Sequence, residues 1–319
     1  MALGEFELIE RFFTRPVKRS PLGIGDDCAL LAPAPGMQLA VSSDMLVEGR
    51  HFLSTVAADR LGHKALAVNL SDLAACAASP LGFTLALALP RADEAFLDGF
   101  SRGLFALADA HGIELVGGDT TQGPLNICIT VFGQVPAGAA LLRSGARPGD
   151  DLYLSGTVGD ARLALEVLRG TVALSGDGFE RVRTAMELPQ PRVALGLALR
   201  GVATSAIDVS DGLLGDLGHI LKRSGVGATV EADVVPRSAV LRDQPLALQR
   251  ECTLAGGDDY ELVFTAPAAS AAEVQRAASI ASTPVTRIGR IESAPALRLV
   301  DAQGRSLDKH FGSFDHFKA

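Results

Sequence analysis

Aspartates recur directly after short apolar runs in this chain of 319 residues, each of them next to glycine or serine. Carboxylate oxygens, with phosphates and water, are the ligands that Mg²⁺ prefers in proteins. Four separate segments with this pattern are more than turns alone require, so the sequence predicts a metal site to which several segments contribute. The segments are Gly25-Asp26-Asp27, Ser42-Ser43-Asp44, Gly117-Gly118-Asp119 and Asp208-Val209-Ser210-Asp211, with Asp72 as a further carboxylate on a predicted helix.

Each segment alone has an ordinary structural explanation. Ser210 or Asp211 is a suitable helix N-cap, the Gly-Gly-Asp segment suits a tight turn, and Asp26-Asp27 suits a solvated loop. The whole set favours a metal site because converging carboxylates repel one another. Two unit charges about 4 Å apart cost roughly 4 kcal/mol at an effective dielectric constant of 20. Divalent cations would relieve this repulsion and let an acidic pocket bind a nucleoside triphosphate.

Other familiar chemistry is missing from the sequence. It contains no G-x-x-x-x-G-K-[ST] phosphate loop, no complete G-x-G-x-x-G and no H-E-x-x-H zinc signature. Gly99-Phe-Ser-Arg-Gly103 matches G-x-S-x-G, but it lies in a helical pattern, whereas a nucleophile elbow needs a strand-to-helix turn. The 37 acidic and 29 basic residues give a net charge of −8 without a basic stripe. We therefore expect no nucleic-acid partner.

Strands and helices alternate along both halves of the chain, which predicts an α/β fold of the α+β type. In the first half, strands are predicted for QLAVSSD, FTLALALP, GIELVGGD and LNICITVFGQV. The first of these strands is expected to end at Ser42-Ser43. Helices are predicted for residues 58–79 and 92–110. The Gly/Pro-rich stretch 133–151 predicts a boundary between domains 1–140 and 141–319. Alternation in the first-half strands favours a mixed or antiparallel sheet with helices on one face, and the bare face favours a dimer.

The sequence also carries information about the compartment. Its four cysteines are far apart and include no C-x-x-C, which predicts buried thiols in a reducing compartment. The N-terminus lacks the features of a signal peptide, and no apolar run reaches the ~18 residues of a membrane helix. We therefore expect a cytoplasmic protein without a membrane partner.

The ordered motifs resemble those of the thiamine-monophosphate kinase family. Seven motifs follow the family's order and approximate spacing between Phe6 and Phe317. They are IGDDCA, SSDMLVEGRHF, GHKALAVNLSDLAA, GGDTT, RSGARPGD, AIDVSDGL and GGDDYEL. Each motif alone is weak, whereas the ordered set is highly specific. The resemblance implies a two-domain aminoimidazole ribonucleotide synthetase-like fold. In this implied fold, the N-terminal mixed sheets of two subunits form a barrel, and the C-terminal α/β domain completes the active-site cleft.

The resemblance further implies ATP-dependent phosphorylation of thiamine monophosphate to thiamine diphosphate, by a homodimer with several Mg²⁺ ions. By motif match, the Mg²⁺ ligands are Asp27, Ser42, Ser43, Asp44, Asp72, Asp119, Asp208 and Asp211. The implied ATP contacts are Phe105, Gly118, Asp119, Arg143 and Ser210. The implied substrate contacts are His51, an acid of GGDDYEL (Asp258 or its neighbour Asp259) and Phe314.

Two positions depart from the family pattern. Asp258 stands where the family more often has the longer Glu, and Phe314 stands where Trp or Tyr can occur.

The expected chemistry is in-line attack by a terminal phosphate oxygen of thiamine monophosphate on the γ-phosphoryl group of ATP. By analogy with phosphoserine, the acceptor phosphate has a second pKa of about 6, so it is largely ionised at neutral pH. The reaction then needs no general base and no covalent enzyme intermediate, and no catalytic residue of either kind is expected. The alternatives are another ATP-dependent synthetase of the same superfamily and a non-catalytic nucleotide-binding scaffold.

Overall fold

The computed structural model describes residues 4–307, 311 and 312. The chain divides into two compact units. The first unit comprises Met1–Leu73 and Ala78–Gly138, and the second comprises Ala74–Ala77 and Ala139–Ala319. Each unit has its own β-sheet, and we describe the two units separately.

The described residues of the first unit form helices and a four-stranded mixed sheet, as the sequence predicts. The strand order is β1-β4-β2-β3, with β2 and β3 parallel and the other neighbours antiparallel. In chain order the elements are α1 (Glu5–Phe12), β1 (Met37–Val47), α2 (Ala58–Ala75), β2 (Ser79–Leu89), α3 (Glu94–His111), β3 (Glu114–Gln122) and β4 (Asn126–Pro136).

The two faces of this sheet differ in exposure. On one face, buried side chains of β2 and β4 pack with buried side chains of α2 and α3; they include Phe83, Leu85, Ile127, Ile129, Leu66, Leu70, Phe100 and Leu104. The other face, which we call the open face, carries Leu39, Val41, Ser43, Met45, Ala86, Asp119, Thr130 and Phe132. Leu39, Val41 and Met45 are 46%, 56% and 53% exposed, so the open face presents apolar surface to solvent.

Glycines allow α2 and α3 to cross closely. A Cβ atom on Gly103 would collide with the backbone oxygen of Asp59, and one on Gly62 would collide with that of Phe100. Gly99 lies against Ala58, where a Cβ would come within 3.0 Å of the alanine methyl group. The G-x-S-x-G match at 99–103 is therefore part of a helix crossing, as its helical pattern indicates.

The second unit contains a six-stranded mixed sheet in the order β10-β7-β9-β5-β8-β6, with β10 and β7 parallel. Its strands are β5 (Asp150–Ser155), β6 (Ser205–Asp208), β7 (Gly227–Glu231), β8 (Leu262–Pro267), β9 (Val285–Glu292) and β10 (Leu297–Val300). Its α-helices are α4 (Asp160–Leu168), α5 (Gly176–Glu187), α6 (Val193–Ala198), α7 (Leu213–Ser224), α8 (Ala239–Arg242), α9 (Leu246–Ala255) and α10 (Ala271–Ile280), and Ala268–Ser270 form a 3₁₀ turn.

In the sequence, a helical stripe is formed by Leu213, Leu214, Leu217, Ile220 and Leu221, and Gly225 is a suitable helix stop. Helix α7 confirms this prediction. Its apolar residues Leu213, Leu217 and Ile220 are fully buried in the core that also contains Val209. Gly225 ends the helix with φ of 68°, the left-handed conformation that glycine adopts without strain.

The expected end of the first strand is wrong. β1 continues through Ser42-Ser43 to Val47, because Met45, Leu46 and Val47 pair with the β4 residues Cys128, Ile127 and Asn126. More exposed and less exposed side chains alternate without a break from Leu39 to Leu46, so the two serines occupy regular strand positions. β3 likewise runs through the Gly-Gly-Asp segment to Gln122.

Two further features of the chain are the hydropathy of its helices and the exposure of its cysteines. The described residues contain no helix that is long and apolar enough to cross a membrane. The four cysteines form no disulfide with one another, and Cys252 is buried. Cys28 and Cys76 are exposed, so the expectation of buried thiols is wrong for these two, which lie in the loop before β1 and just after α2.

We predict that Gly103→Ala lowers the free energy of unfolding by about 1–3 kcal/mol, because the added methyl group would force α2 and α3 apart. Gly218→Ala is the matched control, since Gly218 lies in α7 with open space around its Cα. That control should raise stability by up to about 1 kcal/mol, the helix preference of Ala over Gly. Urea denaturation followed by circular dichroism measures both, and equal effects of the two substitutions would contradict the crossing.

Candidate functional site

In the first unit, β1 and α2 bring three predicted metal ligands together. Ser42 and Asp44 alternate with the open-face residues of β1 and so lie on the helix-covered face. The Ser42 hydroxyl donates to Asp72 Oδ2 at 2.5 Å, and the Asp44 N–H donates to Asn69 Oδ1 at 3.0 Å. Asn69 was missed by the sequence reasoning, although it lies one helical turn before Asp72 on α2.

The other two predicted ligands of this sheet, Ser43 and Asp119, lie on the open face. The Ser43 hydroxyl is 2.9 Å from that of Thr130. Asp119 pairs with Ala86 at the opposite edge of the sheet. From β1 to β3 there are three strand spacings, about 14 Å in all. Because Mg²⁺ holds its ligands at about 2.1 Å, Asp44 and Asp119 of one chain cannot bind the same ion.

The described part of the chain contains no group of three His, Cys, Asp or Glu side chains placed to hold a metal ion. Asp27 lies exposed in the loop before β1, where its N–H donates to Asp26 Oδ1 at 3.0 Å. The chain thus gathers Ser42, Asp44 and Asp72, and it leaves Asp119 on the other face of the sheet. The chemistry of the predicted donors still suits Mg²⁺, since they are carboxylate and hydroxyl oxygens.

His51 closes a tight turn directly after β1. The carbonyl oxygen of Val47 accepts from the N–H groups of Arg50 and His51 at 3.1 and 3.0 Å, and Gly49 has φ of 77°. The Val47 N–H donates to His51 Nδ1 at 3.0 Å, so the neutral imidazole carries its proton on Nε2. Lys64 of α2, only 2% exposed, donates to the His51 carbonyl oxygen at 3.4 Å. This buried lysine in an apolar helix was also missed.

Phe105 lies half-buried on α3, and a cation covers its ring. The guanidinium carbon of Arg15 is 4.4 Å from the ring centroid, within the range of a cation–π interaction. Arg15 is held in turn by Asp109 at 3.1 Å.

In the second unit, the motifs AIDVSDG and GGDDYEL lie side by side. Asp208, 5% exposed, ends β6, and Ser210 and Asp211 follow in the loop before α7. The Asp258 N–H donates to the Ser210 carbonyl oxygen at 2.8 Å. A Cβ atom on Gly257 would collide with that same oxygen, so the glycine permits the close approach. The structure therefore brings Ser210, Asp211 and Asp258 together.

The GGDDYEL loop contains backbone strain. Asp258 and Tyr260 have φ of 69° and 54°, the left-handed region in which residues other than glycine are uncommon. Such residues cost of order 1–3 kcal/mol each and persist where surrounding contacts fix them. One such contact is the hydrogen bond from the Tyr260 N–H to the Val209 carbonyl oxygen at 2.9 Å.

Buried acids anchor both loops, and none of them was recognised from the sequence as an anchor. Asp216 Oδ2 accepts from the N–H groups of Ser210, Asp211 and Gly212. Burial, with a smaller contribution from the charge of Asp211, raises the pKa of Asp216 to about 7. The Asp259 carboxylate accepts from the Gly159 N–H at 2.9 Å, and burial raises its pKa well above the usual value.

Glu261 is a third anchor. It accepts hydrogen bonds from Ser155 and from Arg192, whose Nε is 2.7 Å away, and its backbone carbonyl accepts from the Val209 N–H at 2.8 Å. Glu261 is 5% exposed, and its charge-assisted pair with Arg192 fixes the end of the GGDDYEL loop.

Arg143 lies at the opposite end of β6 from Ser210. The Ala206 N–H, near the start of β6, donates to the carbonyl oxygen of Leu142 at 3.0 Å, and the Arg143 side chain is exposed. Ser224, the last residue of α7, accepts from the Gly145 N–H at 3.1 Å and so fixes the same loop. Phe314, a predicted substrate contact, lies outside the described residues.

Two family models match this chain. Residues 25–135 match AIR synthase related protein, N-terminal domain, and residues 147–302 match AIR synthase related protein, C-terminal domain. The chain is 45% identical to the thiamine-monophosphate kinase of Salmonella typhimurium over 324 residues, which cover 99% of each protein. It is 31% identical to that of Bacillus subtilis, covering 99% of this chain and 100% of the relative.

Solved structures agree with these matches. The crystal structure of thiamine-monophosphate kinase from Stenotrophomonas maltophilia K279a is 46% identical, with a TM-score of 0.86 over 96% of this chain and 99% of that one. AaThiL complexed with AMPPCP and TMP is 27% identical, with a TM-score of 0.76 over 90% and 89% of the two chains. The hydrogenase maturation protein HypE in complex with ATP, 21% identical with a TM-score of 0.78 over 96% and 95%, shares the fold.

We predict that His51→Ala speeds hydrogen exchange at the Val47 amide about five- to tenfold, the effect of losing a hydrogen bond of about 1 kcal/mol. His51→Asn should keep the protection, because its side-chain oxygen can take the place of Nδ1. Exchange followed by NMR measures this, with the Asp44 amide, bonded to Asn69, as an internal reference. Equally fast exchange at Val47 in both variants would show that Nδ1 does not close the turn.

Proposed function

Since this chain belongs to the thiamine-monophosphate kinase family of AIR synthase-related proteins, we propose that it phosphorylates thiamine monophosphate with ATP, giving thiamine diphosphate and ADP. The observation that carries the proposal is the 45% identity that extends over 99% of both this chain and the relative. The binding of AMPPCP and TMP by the related AaThiL supports it. We also propose that the reaction takes place in the cytoplasm.

Mg²⁺ is the metal that we propose for this site, because hard oxygen donors in this number suit it. The residues that would hold it are Asp27, Ser42, Ser43, Asp44, Asp72, Asp119, Asp208 and Asp211. When bound, Mg²⁺ neutralises charge on the phosphates and on the transferring phosphoryl group.

The residues of the chain itself would bind and orient the two substrates. The proposed ATP contacts are Phe105, Gly118, Asp119, Arg143 and Ser210. The proposed contacts of the acceptor are His51, Asp258 and Phe314. The hydrogen bond from the Val47 N–H to Nδ1 fixes the imidazole ring of His51 at the turn after β1, which supports a positioning role for it next to the acceptor. Positioning for in-line attack then carries the rate, since the ionised phosphate is already a nucleophile.

Between the two neighbouring acids of GGDDYEL, we propose Asp258 as the substrate contact. The Asp259 carboxylate is already engaged by the Gly159 N–H, which supports a structural role for it. Asp258 is one methylene shorter than the Glu more usual in the family, and its left-handed backbone conformation gives its side chain a direction that an extended residue would not have.

We further propose that the active protein is a homodimer whose metal site combines residues of both subunits. The exposed apolar residues of the open face support a partner there. The two edge strands of the sheet are β1 and β3. If two copies close into an eight-stranded barrel about a twofold axis, β3 of each copy lies beside β1 of the other.

That arrangement would remove the spacing between the two strands, and Asp44 and Asp119 would differ only in the face of the sheet from which their side chains leave. Asp44 lies three residues before the end of β1, and Asp119 lies three residues before the end of β3. β1 and β2 are both antiparallel to β4, and β3 is parallel to β2. β1 and β3 therefore run in the same direction and end at the same rim of the sheet. A barrel would therefore bring Asp119 of the partner subunit toward Asp44.

The proposed activity is tested by incubating the protein with ATP, Mg²⁺ and thiamine monophosphate and separating the products by chromatography. We expect thiamine diphosphate and ADP in equal amounts. Asp44→Asn should abolish turnover without changing the melting temperature, because it removes a ligand charge next to Asn69. The control is Asp98→Asn, an exposed residue paired with Arg102 on α3, which should leave activity unchanged. ADP without thiamine diphosphate would favour another synthetase, and no product would favour a scaffold.

The composite site is tested with mixed dimers purified through two different affinity tags. A dimer of Asp44→Asn with Asp119→Asn should keep about half of the wild-type activity, because one of its two sites would be intact. A dimer of wild type with the double variant Asp44→Asn/Asp119→Asn contains the same four side chains in the other arrangement. Here both substitutions lie in one chain, so each of the two composite sites would lack one acid, and this dimer should be inactive. The reverse result would show that both acids of a site come from one chain.

A further inference from the structure

Asp216 makes an unusual set of hydrogen bonds at the start of α7. Its Oδ2 atom alone accepts from three consecutive backbone N–H groups, those of Ser210, Asp211 and Gly212, at 3.0, 3.0 and 3.1 Å. The residue is 3% exposed. Three amides that converge on one oxygen form a small anion-binding concavity, and here the protein fills it with its own carboxylate.

This arrangement differs from ordinary helix capping. A capping side chain lies before the helix and accepts from an N–H of the first turn, as Asp93 does from the Phe96 N–H at 3.1 Å. Asp216 lies inside the first turn of α7 and accepts from groups that precede Leu213, where the helix begins. Its bonds therefore fix the loop 210–212 onto the helix.

The same loop is fixed from its other side by the GGDDYEL segment. The Ser210 carbonyl oxygen accepts from the Asp258 N–H, and Gly257 packs against Asp211 so closely that a Cβ there would lie 3.1 Å from the Asp211 Cα. With its N–H groups held by Asp216 and its carbonyl held by Asp258, the loop has a fixed backbone. The directions of the Ser210 and Asp211 side chains follow from that backbone.

We propose that Asp216 is a positioning residue for the metal and nucleotide end of the site, through the loop that carries Ser210 and Asp211. The inference rests on the proposed function, in which Asp211 holds Mg²⁺ and Ser210 contacts ATP. Asp216 itself touches neither ligand. Removal of a group that hydrogen-bonds to metal ligands and orients them typically lowers metal affinity or activity by about 10–100-fold. We expect an effect of this size for Asp216.

The test measures binding without turnover. Calorimetric titration with AMPPCP at fixed Mg²⁺ should give a dissociation constant about 10–100-fold higher for Asp216→Ala than for wild type. Asp216→Asn keeps an oxygen that can accept from the loop, so its loss should be smaller. The Michaelis constant for thiamine monophosphate should change less than the AMPPCP dissociation constant in both variants, because Asp216 holds the loop 210–212 directly and reaches the acceptor contact Asp258 only through the Ser210 carbonyl oxygen.

Asp93→Ala is the control for a purely structural role, since Asp93 also uses its carboxylate to accept a backbone N–H at a helix start. It should lower the melting temperature and leave AMPPCP binding unchanged. Asp216 variants that lose only stability, or that weaken both substrates equally, would overturn the proposal; if Asp216→Ala does not fold, Asp216→Asn decides. Wild type that binds no AMPPCP with Mg²⁺ would overturn the proposed function together with this inference. Unchanged binding in a folded Asp216 variant would overturn this inference alone.

Discussion

The distance between the two edge strands of the first sheet limits which of the proposed metal ligands one chain can bring together. Hydrogen-bonded strands lie about 4.8 Å apart, and nothing in the side chains can shorten that spacing. With the order β1-β4-β2-β3, Asp44 and Asp119 stand on different edges, and they also point to different faces of the sheet. A carboxylate pair of this kind can serve one ion only if another copy of the sheet closes the gap, so assembly and metal binding become one problem.

In the second unit the positions of the candidate ligands depend on hydrogen bonds rather than on sheet register. Asp216, Asp259 and Glu261 are acids that accept backbone N–H groups or a guanidinium, and they hold the two site loops from the protein interior. A buried carboxylate is stable only when such donors surround it. The interior acids thus stabilise a loop conformation that contains strained residues, and they leave the neighbouring Asp211 and Asp258 half-exposed.

The sequence predicted the parts of this structure that depend on local pattern. The mixed first sheet with helices on one face, the helix α7 with its glycine stop, and the family inferred from the ordered motifs are all confirmed. The expected end of β1 at Ser42-Ser43 is wrong, because the pairing of Met45 to Val47 with β4 outweighs two polar residues. The separation of Asp44 from Asp119 could not be predicted, since strand order is a property of the tertiary fold. The role of Asp216 was hidden for a similar reason, because an acid five residues after Asp211 gives no periodic signal.

The distribution of the acids also has an electrostatic consequence. Two carboxylates about 4 Å apart repel by roughly 4 kcal/mol at an effective dielectric constant of 20, which is a large part of the stability of an ordinary domain. In this chain Ser42, Asp44 and Asp72 form one group, Asp119 stands at another edge, and Asp208 and Asp211 belong to the second unit. Within the first unit of one chain, the group of Ser42, Asp44 and Asp72 therefore folds without the repulsion that Asp119 would add. In the proposed dimer, Asp119 of the partner subunit would add such repulsion to Asp44, and the proposed Mg²⁺ would offset it.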